Sequence, residues 1–238
     1  MALPKIAVPT YELEIPSNKE KITYRPFLVK EEKLLLLAME TEQEADMLNA
    51  IKQIINNCTF ENVDVETLPI FDIEHIFLKI RAKSVGEVIS LKLLCEDDGE
   101  TYADVEINID DINVEFQDDH TNHIKLNDDV TVIMKYPQYS MMAGAMTGTG
   151  SETNTKFIFD IIRKSVAQVV EGETIHERSD FTDKDLDEFI ESLNTKQFQD
   201  VQNFFETMPR LRHQVKFKNP KTKKQNKVTL EGMQSFFE

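Results

Sequence analysis

Apolar and polar residues alternate from Tyr11 to Ile15, with Tyr11, Leu13 and Ile15 on one face, and Ile22, Tyr24 and Phe27 continue the alternation after PSNKEK. A period of two marks a half-buried strand, so the segment predicts a β-hairpin. Pro26 ends its second strand or confines it to an edge, because the proline nitrogen carries no donor. From Val29 the period becomes helical, breaks near METEQEAD, and resumes through Ala45, Leu48, Ile51, Ile54 and Ile55 to Cys58. Two helices follow from this. TLPIFDIEHIFLKIRAKSV predicts a third, with Asp72 as its N-cap and Ile73, Ile76, Phe77 and Ile80 as a narrow apolar stripe. Val88 to Leu94 and Tyr102 to Ile109 alternate around CEDDGE, and HIKLNDDVTVIMKYP does so around Asn127-Asp128-Asp129, which predicts two further hairpins.

Between Pro137 and Lys156 both periods disappear in QYSMMAGAMTGTGSETNT, which reads as a linker or mobile loop; its three methionines could alternatively form an adaptable contact surface. KFIFDIIRKSVAQVV then predicts an amphipathic helix through Phe157, Ile161, Ile162, Val166 and Val169, stopped by Gly172. Two shorter helices follow in SDFTDKDLDEFIESLNTKQFQDVQNFFETMP, capped by Thr182 and Thr195 and closed by Pro209. The last segment, RHQVKFKNPKTKKQNKVTLEGMQSFFE, has the pattern of two strands flanking a basic tip. The pattern as a whole predicts an α+β protein of two lobes, residues 1–136 and 157–238, joined by a linker over 137–156 and separated near Gly144 to Thr155. A weak internal echo supports this: FLKIRAKSVGEVISLKLL and FFETMPRLRHQVKF both lead from a helix into a hairpin.

Leu34 to Leu37 are four consecutive leucines in the first helix, more apolar than a single buried face requires. Either the helix is sandwiched inside its own domain or part of it awaits a partner. We expect internal burial, with any partner face at exposed aromatics such as Phe236 and Phe237.

Composition narrows the function classes. Among 238 residues, 43 acidic against 27 basic side chains give a formal charge of −16, which repels a phosphate backbone and argues against nucleic-acid binding. No apolar window approaches a transmembrane helix, and MALPKIAVPTYELEIP lacks the pattern of a secretion signal, so a cytoplasmic location is expected and no membrane partner. Two cysteines, Cys58 and Cys95, predict reduced, partly buried thiols rather than a disulfide framework.

Signatures of chemistry are sparse. There is no Gly-Lys-Ser/Thr phosphate loop, the GTG at Gly148 to Gly150 lacks the strand and helix that a nucleotide site needs, and no serine sits in a Gly-x-Ser-x-Gly elbow. His120 and His123 with Asp118 and Asp119 have a spacing that a metal can use on a turn, which leaves a metal-dependent hydrolase as the rival reading; a solvated loop is favoured. Cys95-Glu96-Asp97-Asp98-Gly99 has the outline of a zinc knuckle with aspartate in place of the second sulfur, and FKNPKTKKQ has a similar outline with no sulfur. One cysteine cannot supply a tetrahedral site, so no metal and no cofactor are assigned. Lys216, Lys218, Lys221, Lys223, Lys224 and Lys227 make the second tip basic, suited either to solvent or to an acidic partner surface.

LPKIAVPTYELEIPS, YRPFLVKEEKLLLLA, LPIFDIEHIFLKIRAKSVGE and the closing VTLEGMQSFF resemble the baseplate hub subunit and hub-assembly proteins of T-even-like contractile-tailed bacteriophages. The resemblance covers most of the first 135 residues and the C-terminal lobe more loosely. It implies a non-enzymatic role in building the central hub of the tail baseplate, by binding other hub or tape-measure proteins in the host cytoplasm during tail assembly. Some relatives are expected to carry zinc-knuckle-like forms, from which Asp98 and residues Asn219 to Lys224 depart. The acidic, soluble composition favours an assembly factor or chaperone over a permanent virion component. Arg25, Phe27, Lys221, Lys223, Lys224, Phe236 and Phe237 are the candidate partner-binding residues, with homo-oligomerisation left open.

Overall fold

The structure, a computed structural model, describes residues 6–41, 43–139, 141 and 154–236. The fold is α+β, with helices set against small antiparallel sheets. Two compact units divide the chain, one of Met1–Glu115 with Arg210–Glu238, the other Phe116–Pro209. This differs from the expected division at residues 136 and 157. The reason is pairing: strand β5 (Asn113–Glu115) is joined to β10 (Arg210–Lys218) through Arg210↔Glu115, Leu211↔Val114 and Arg212↔Asn113, so the last hairpin returns to the first unit. Most of the proposed linker, including the glycine run and Gly144 to Ser151, lies outside the described residues.

The first unit opens with the expected hairpin, β1 (Tyr11–Glu14) and β2 (Lys21–Tyr24), in register Leu13↔Ile22. Helices α1 (Val29–Glu40), α2 (Glu44–Cys58) and α3 (Ile70–Val85) follow. α3 is the sandwiched helix: Phe71, Ile73, Ile76, Phe77, Leu78, Ile80 and Ala82 are all buried, because it packs against α2 and also against β5 and β10. Its stripe is therefore wider than expected. Asp72 is not its N-cap, since Pro69, held extended at φ −60° and ψ 152°, already starts the helix, and Asp72 falls in its first turn.

Strands β3 (Val88–Leu94) and β4 (Tyr102–Asn108) form the hairpin expected around Asp98-Gly99, where Gly99 has φ +68°. β10 and β11 (Gln225–Glu231) form the other. The inward faces of both hairpins share one core, Ile89, Leu91, Ala103 and Ile107 with Leu211, Val215, Phe217 and Leu230. The internal echo is thus two hairpins of a single unit rather than two lobes.

The second unit is a sheet ordered β6 (His123–Lys125), β7 (Val130–Met134), β8 (Val166–Glu171), β9 (Thr174–Glu177), with α4 (Asn154–Ser165), α5 (Asp183–Glu191) and α6 (Thr195–Thr207). Val166 and Val169 lie in β8, not in a continued helix. They fall three apart because the pairing steps from Gln168 opposite Ile133 to Val166 opposite Met134, which leaves Ala167 as an extra residue and imitates a helical interval. Gly172, at φ +57°, turns β8 into β9 rather than stopping a helix. Thr182 caps α5 as expected, whereas α6 is capped by Asn194, whose Oδ1 accepts the N–H groups of Lys196 and Gln197 at 3.0 and 3.1 Å. Gln197 answers by accepting the Asn194 N–H, a reciprocal box that Thr195 cannot make from inside the helix. No helix among the described residues is long and apolar enough to cross a membrane.

Two carboxyls on α3 tie distant backbone to this helix. Asp72, fully buried, accepts the Ser17 N–H at 3.0 Å, and Glu74 accepts the Met233 N–H at 2.9 Å. Burial pushes Asp72 up to about 6 and Glu74 up to about 7, in each case against the lowering effect of the bond it accepts. A carboxyl raised by folding binds its proton more tightly in the native chain than in the unfolded one. Its contribution is therefore full below the unfolded pKa near 4 and is lost as pH rises toward 6 and 7. Each is expected to cost on the order of 2–3 kcal/mol at neutral pH relative to pH 4. Asp72→Asn with Glu74→Gln keeps both acceptors and removes both charges. Denaturant melts of the double variant should lack the decline between pH 4 and 7 that is expected of the wild type.

Candidate functional site

Arg25 follows β2, and its guanidinium is buried against α1, α2 and the loop between β2 and α1. Nη2 donates to Glu31 Oε1 at 3.0 Å, while Nη1 donates to the Pro26 carbonyl at 2.9 Å and contacts Cys58 Sγ at 3.7 Å. Its backbone N–H bonds the Cys58 carbonyl at 2.9 Å, at the end of α2. Glu31, 1% exposed in the first turn of α1, uses Oε2 to accept the Leu28 N–H at 2.9 Å. Burial pushes the Glu31 carboxyl up, but the bonds from Arg25, the Leu28 N–H and Lys30 outweigh it and hold the carboxyl below its usual value. Cys58 is a buried free thiol, pushed up to about 11 chiefly by burial, and so is inert as a nucleophile.

With Glu31 turned inward, α1 buries only Glu31 and Ala38 completely, and it packs on α2. Leu34 and Leu35 are half-buried. Val29, Leu36, Leu37 and Met39 stand 78, 55, 50 and 49% exposed. The expected internal burial of the whole leucine run does not occur, because the other side of α1 has no covering element among the described residues.

A second surface of distinct character lies on the last hairpin. Lys216, Lys218 and Lys227 point outward, Lys216 directly opposite Lys227, and Lys221, Lys223 and Lys224 are exposed at the tip. Like charges placed opposite one another oppose pairing, so this face is not arranged for the stability of the hairpin. Lys221 pairs only loosely with Glu100, at 3.7 Å between exposed groups.

The histidine pair of the rival reading is not brought together. His120 Nδ1 lies 2.9 Å from Thr207 Oγ1 and Nε2 lies 3.1 Å from the Tyr136 hydroxyl, with its ring against Tyr136 and Phe204. Both ring nitrogens are thus engaged within the second unit. His123 is exposed and turns to Asn122 Oδ1 at 2.8 Å. Among the described residues, no three His, Cys, Asp or Glu side chains are grouped to hold a metal.

A family model described as T4 bacteriophage base plate protein matches residues 8–238 of this chain. The chain belongs to that family. No curated protein and no solved structure gives a match. The match extends across both units of this base plate protein and through the returning hairpin. It agrees with the bacteriophage baseplate resemblance carried by the sequence. A member of such a family works among other baseplate proteins, with the virion tail as its setting.

The candidate partner residues of the base plate protein fall into different environments. Lys221, Lys223 and Lys224 are exposed together. Phe27 is half-buried, its N–H bonded to Ser84 Oγ at 2.9 Å. Arg25 is 9% exposed and spent on the internal ion pair, so it supports the junction rather than meeting a partner. Phe236 is 1% exposed inside the core of the first unit, which corrects its assignment to an exposed aromatic face; Phe237 lies outside the described residues. The surface that sequence reasoning set aside was the outer side of α1, and its signal was the excess of apolar positions in Leu34 to Leu37.

Removing Glu31 leaves a buried guanidinium without its carboxylate. Glu31→Gln is expected to lower stability by about 3 kcal/mol, roughly 10 °C in Tm, by differential scanning calorimetry. A carboxyl held low by the fold contributes above its unfolded pKa, 4.5, and loses that contribution as pH falls through its native value. The gap between variant and wild type should therefore narrow in acid. In contrast, charge reversal at Lys221, Lys223 and Lys224 should leave Tm within about 2 °C, since exposed pairs contribute ~0–1 kcal/mol.

Proposed function

We propose that this base plate protein acts in building the baseplate hub by protein–protein binding, as an assembly factor or chaperone for hub or tape-measure proteins in the host cytoplasm. The observation that carries this reading is the uncovered apolar side of α1, with Val29, Leu36, Leu37 and Met39 turned to solvent. Apolar groups held exposed on a helix lose water only when a partner covers them, which gives binding a driving force that folding has not consumed. Helix-in-groove contact, read through anchors on successive turns, is the mode such a face suits.

The net charge of −16 keeps a free copy soluble despite that face. The lysine hairpin adds the opposite sign in one place. It would guide an acidic partner surface into encounter, an effect that salt screens over ~8–10 Å. No reaction enters this reading, and Lys221, Lys223 and Lys224 are its proposed steering residues.

The test is affinity purification of the tagged full-length chain from infected cells during tail assembly, with mass spectrometry of the proteins recovered. Hub or tape-measure proteins should accompany the wild type. Leu36→Asp with Leu37→Asp should lose them by tenfold or more while melting within about 2 °C of wild type, as expected for substitutions at solvated positions. Purified virions supply the second readout. Stoichiometric recovery of this chain from them would replace the assembly factor by a permanent structural component, and a solitary chain in the pull-down would overturn both.

A further inference from the structure

The tips of the two hairpins, Cys95 to Gly99 and Asn219 to Lys223, are built alike. In each, the N–H of the fifth residue bonds the carbonyl of the first, Gly99 to Cys95 at 2.9 Å and Lys223 to Asn219 at 3.0 Å. In each, the N–H of the first residue closes on a carbonyl just beyond the turn, Cys95 to Thr101 at 2.7 Å and Asn219 to Lys224 at 2.9 Å. The fifth residue is left-handed in both, Gly99 at φ +68° and Lys223 at +64°, although lysine gains nothing from that conformation. The first residue of each, Cys95 and Asn219, is 0% exposed. Asn219 Oδ1 accepts the N–H groups of Lys221 and Thr222 at 2.7 and 3.1 Å. A metal-bound sulfur at the first position of such a turn would face the same two donors.

The tips also meet. Asn219 Nδ2 reaches Asp97 Oδ1 at 2.8 Å and Asp98 Oδ2 at 3.0 Å, so the first residue of one turn touches the fourth of the other. Thr222, the fourth residue of the second turn, donates its hydroxyl to Asp97 Oδ2. Asn226 completes the set by donating Nδ2 to Asp97 Oδ1 at 2.9 Å and accepting the Asp97 N–H at 3.1 Å. Two residues at a Cys-x-x-Cys spacing on each of two facing turns is the frame of a structural zinc site. Here the donors do not fit a metal, because the amide groups of Asn219 and Asn226 aim N–H at the carboxylates where a cation would have to approach. Bonds from Thr101 and Asn219 hold Asp98 ionised far below its usual range, while burial and then Asp98 and Asp97 push the Cys95 thiol up, away from the thiolate a metal needs.

We propose that the two tips are a paired metal-knuckle frame in which a hydrogen-bonded clasp of Asp97, Asp98, Asn219, Thr222 and Asn226 fastens the hairpins in place of zinc. The ligand positions of the frame are Cys95, Asp98, Asn219 and Thr222. Cysteine at the three that lack sulfur would complete the four ligand positions of a tetrathiolate site.

The test uses the full chain carrying Asp98→Cys, Asn219→Cys and Thr222→Cys, titrated with Co(II) and then Zn(II) under reducing conditions. One equivalent of Co(II) should bind with the intense visible d–d bands and the thiolate charge-transfer band of tetrahedral coordination, and Zn(II) should displace it and raise Tm. Wild type should show neither band, and its Tm should be unchanged by EDTA. Weak, non-stoichiometric or octahedral Co(II) binding, or a triple variant that stays unfolded with zinc present, overturns the frame. For the clasp, Thr222→Val in the wild-type background should lower Tm by several degrees, and an unchanged Tm overturns it.

Discussion

The buried pair of Arg25 and Glu31 decides which way the first helix faces. Glu31 is drawn inward by a guanidinium that also donates to the Pro26 carbonyl just beyond β2 and contacts the sulfur of Cys58, the last residue of α2. A helix advances about 100° per residue, so fixing Glu31 inward brings Ala38 back to the same side after seven residues. Leu34 and Leu35 then flank the buried line, while Leu36 and Leu37 fall more than about 100° from it, and Val29 nearly opposite. The exposed positions are those that this rotation turns away. An interaction with no partner-binding role of its own thus sets the surface on which the proposed function rests. Turning α1 about its axis would leave the buried guanidinium without its carboxylate, so the pair holds the helix to this angle.

The same economy appears in α3. Being covered on both sides, it serves as the wall against which later segments are fastened, and its carboxyls Asp72 and Glu74 take hydrogen bonds from backbone far away in sequence, at Ser17 and Met233. The returning segment supplies Leu211, Val215, Phe217, Leu230 and Phe236 to the core that Leu78 and Ala82 begin. The first 115 residues therefore cannot complete their own core until the chain has passed through the second unit. Closure over so long an insertion costs only logarithmically in chain entropy, so the arrangement is thermodynamically tolerable. It does delay the last hairpin's contribution to folding.

Much of the fold could be read from the chain because local period and turn chemistry agreed. The hairpin of Leu13 and Ile22, the helices at Val29, Ala45 and Ile73, and the turn at Asp98-Gly99 all carry signals within a few residues of where they act. The caps misread at Asp72 and Thr195 are local slips of one to three residues, whereas the larger failures share one cause, non-local pairing. Asn113 to Glu115 is too short to announce a strand, and only Arg210 to Arg212, distant in sequence, makes it one. Val166 and Val169 carry a helical interval because a bulge sits between them, and the bulge exists only against β7. Phe236 has the composition of an exposed terminal aromatic, but the Met233 N–H bond to Glu74 fastens its turn to α3, and the side chain reaches the core. Of the candidate site, the lysine tip was legible because charge at a turn needs no partner to be recognised. The outer side of α1 was visible only as an excess of leucine, and its exposure required the angle that Arg25 imposes.

The two hairpin tips show why outline and chemistry must be read separately. Cys95-x-x-Asp98-Gly99 and Asn219-x-x-Thr222-Lys223 share backbone hydrogen bonds and a left-handed fifth residue, features that the chain path alone can conserve. Their side chains follow another logic. A metal site needs several acceptors converging on one point, whereas Asn219 and Asn226 bring donors to that point, and Asp97 and Asp98 are satisfied by them. Donors and acceptors that cancel one another fasten two loops without any ion. The lysine ammonium groups take no part in this clasp, since the carboxylates within it are already paired with amide and hydroxyl donors. Under the proposed function, recognition rests on side chains that the clasp does not use, so a change of partner can alter the lysines without loosening the hairpins.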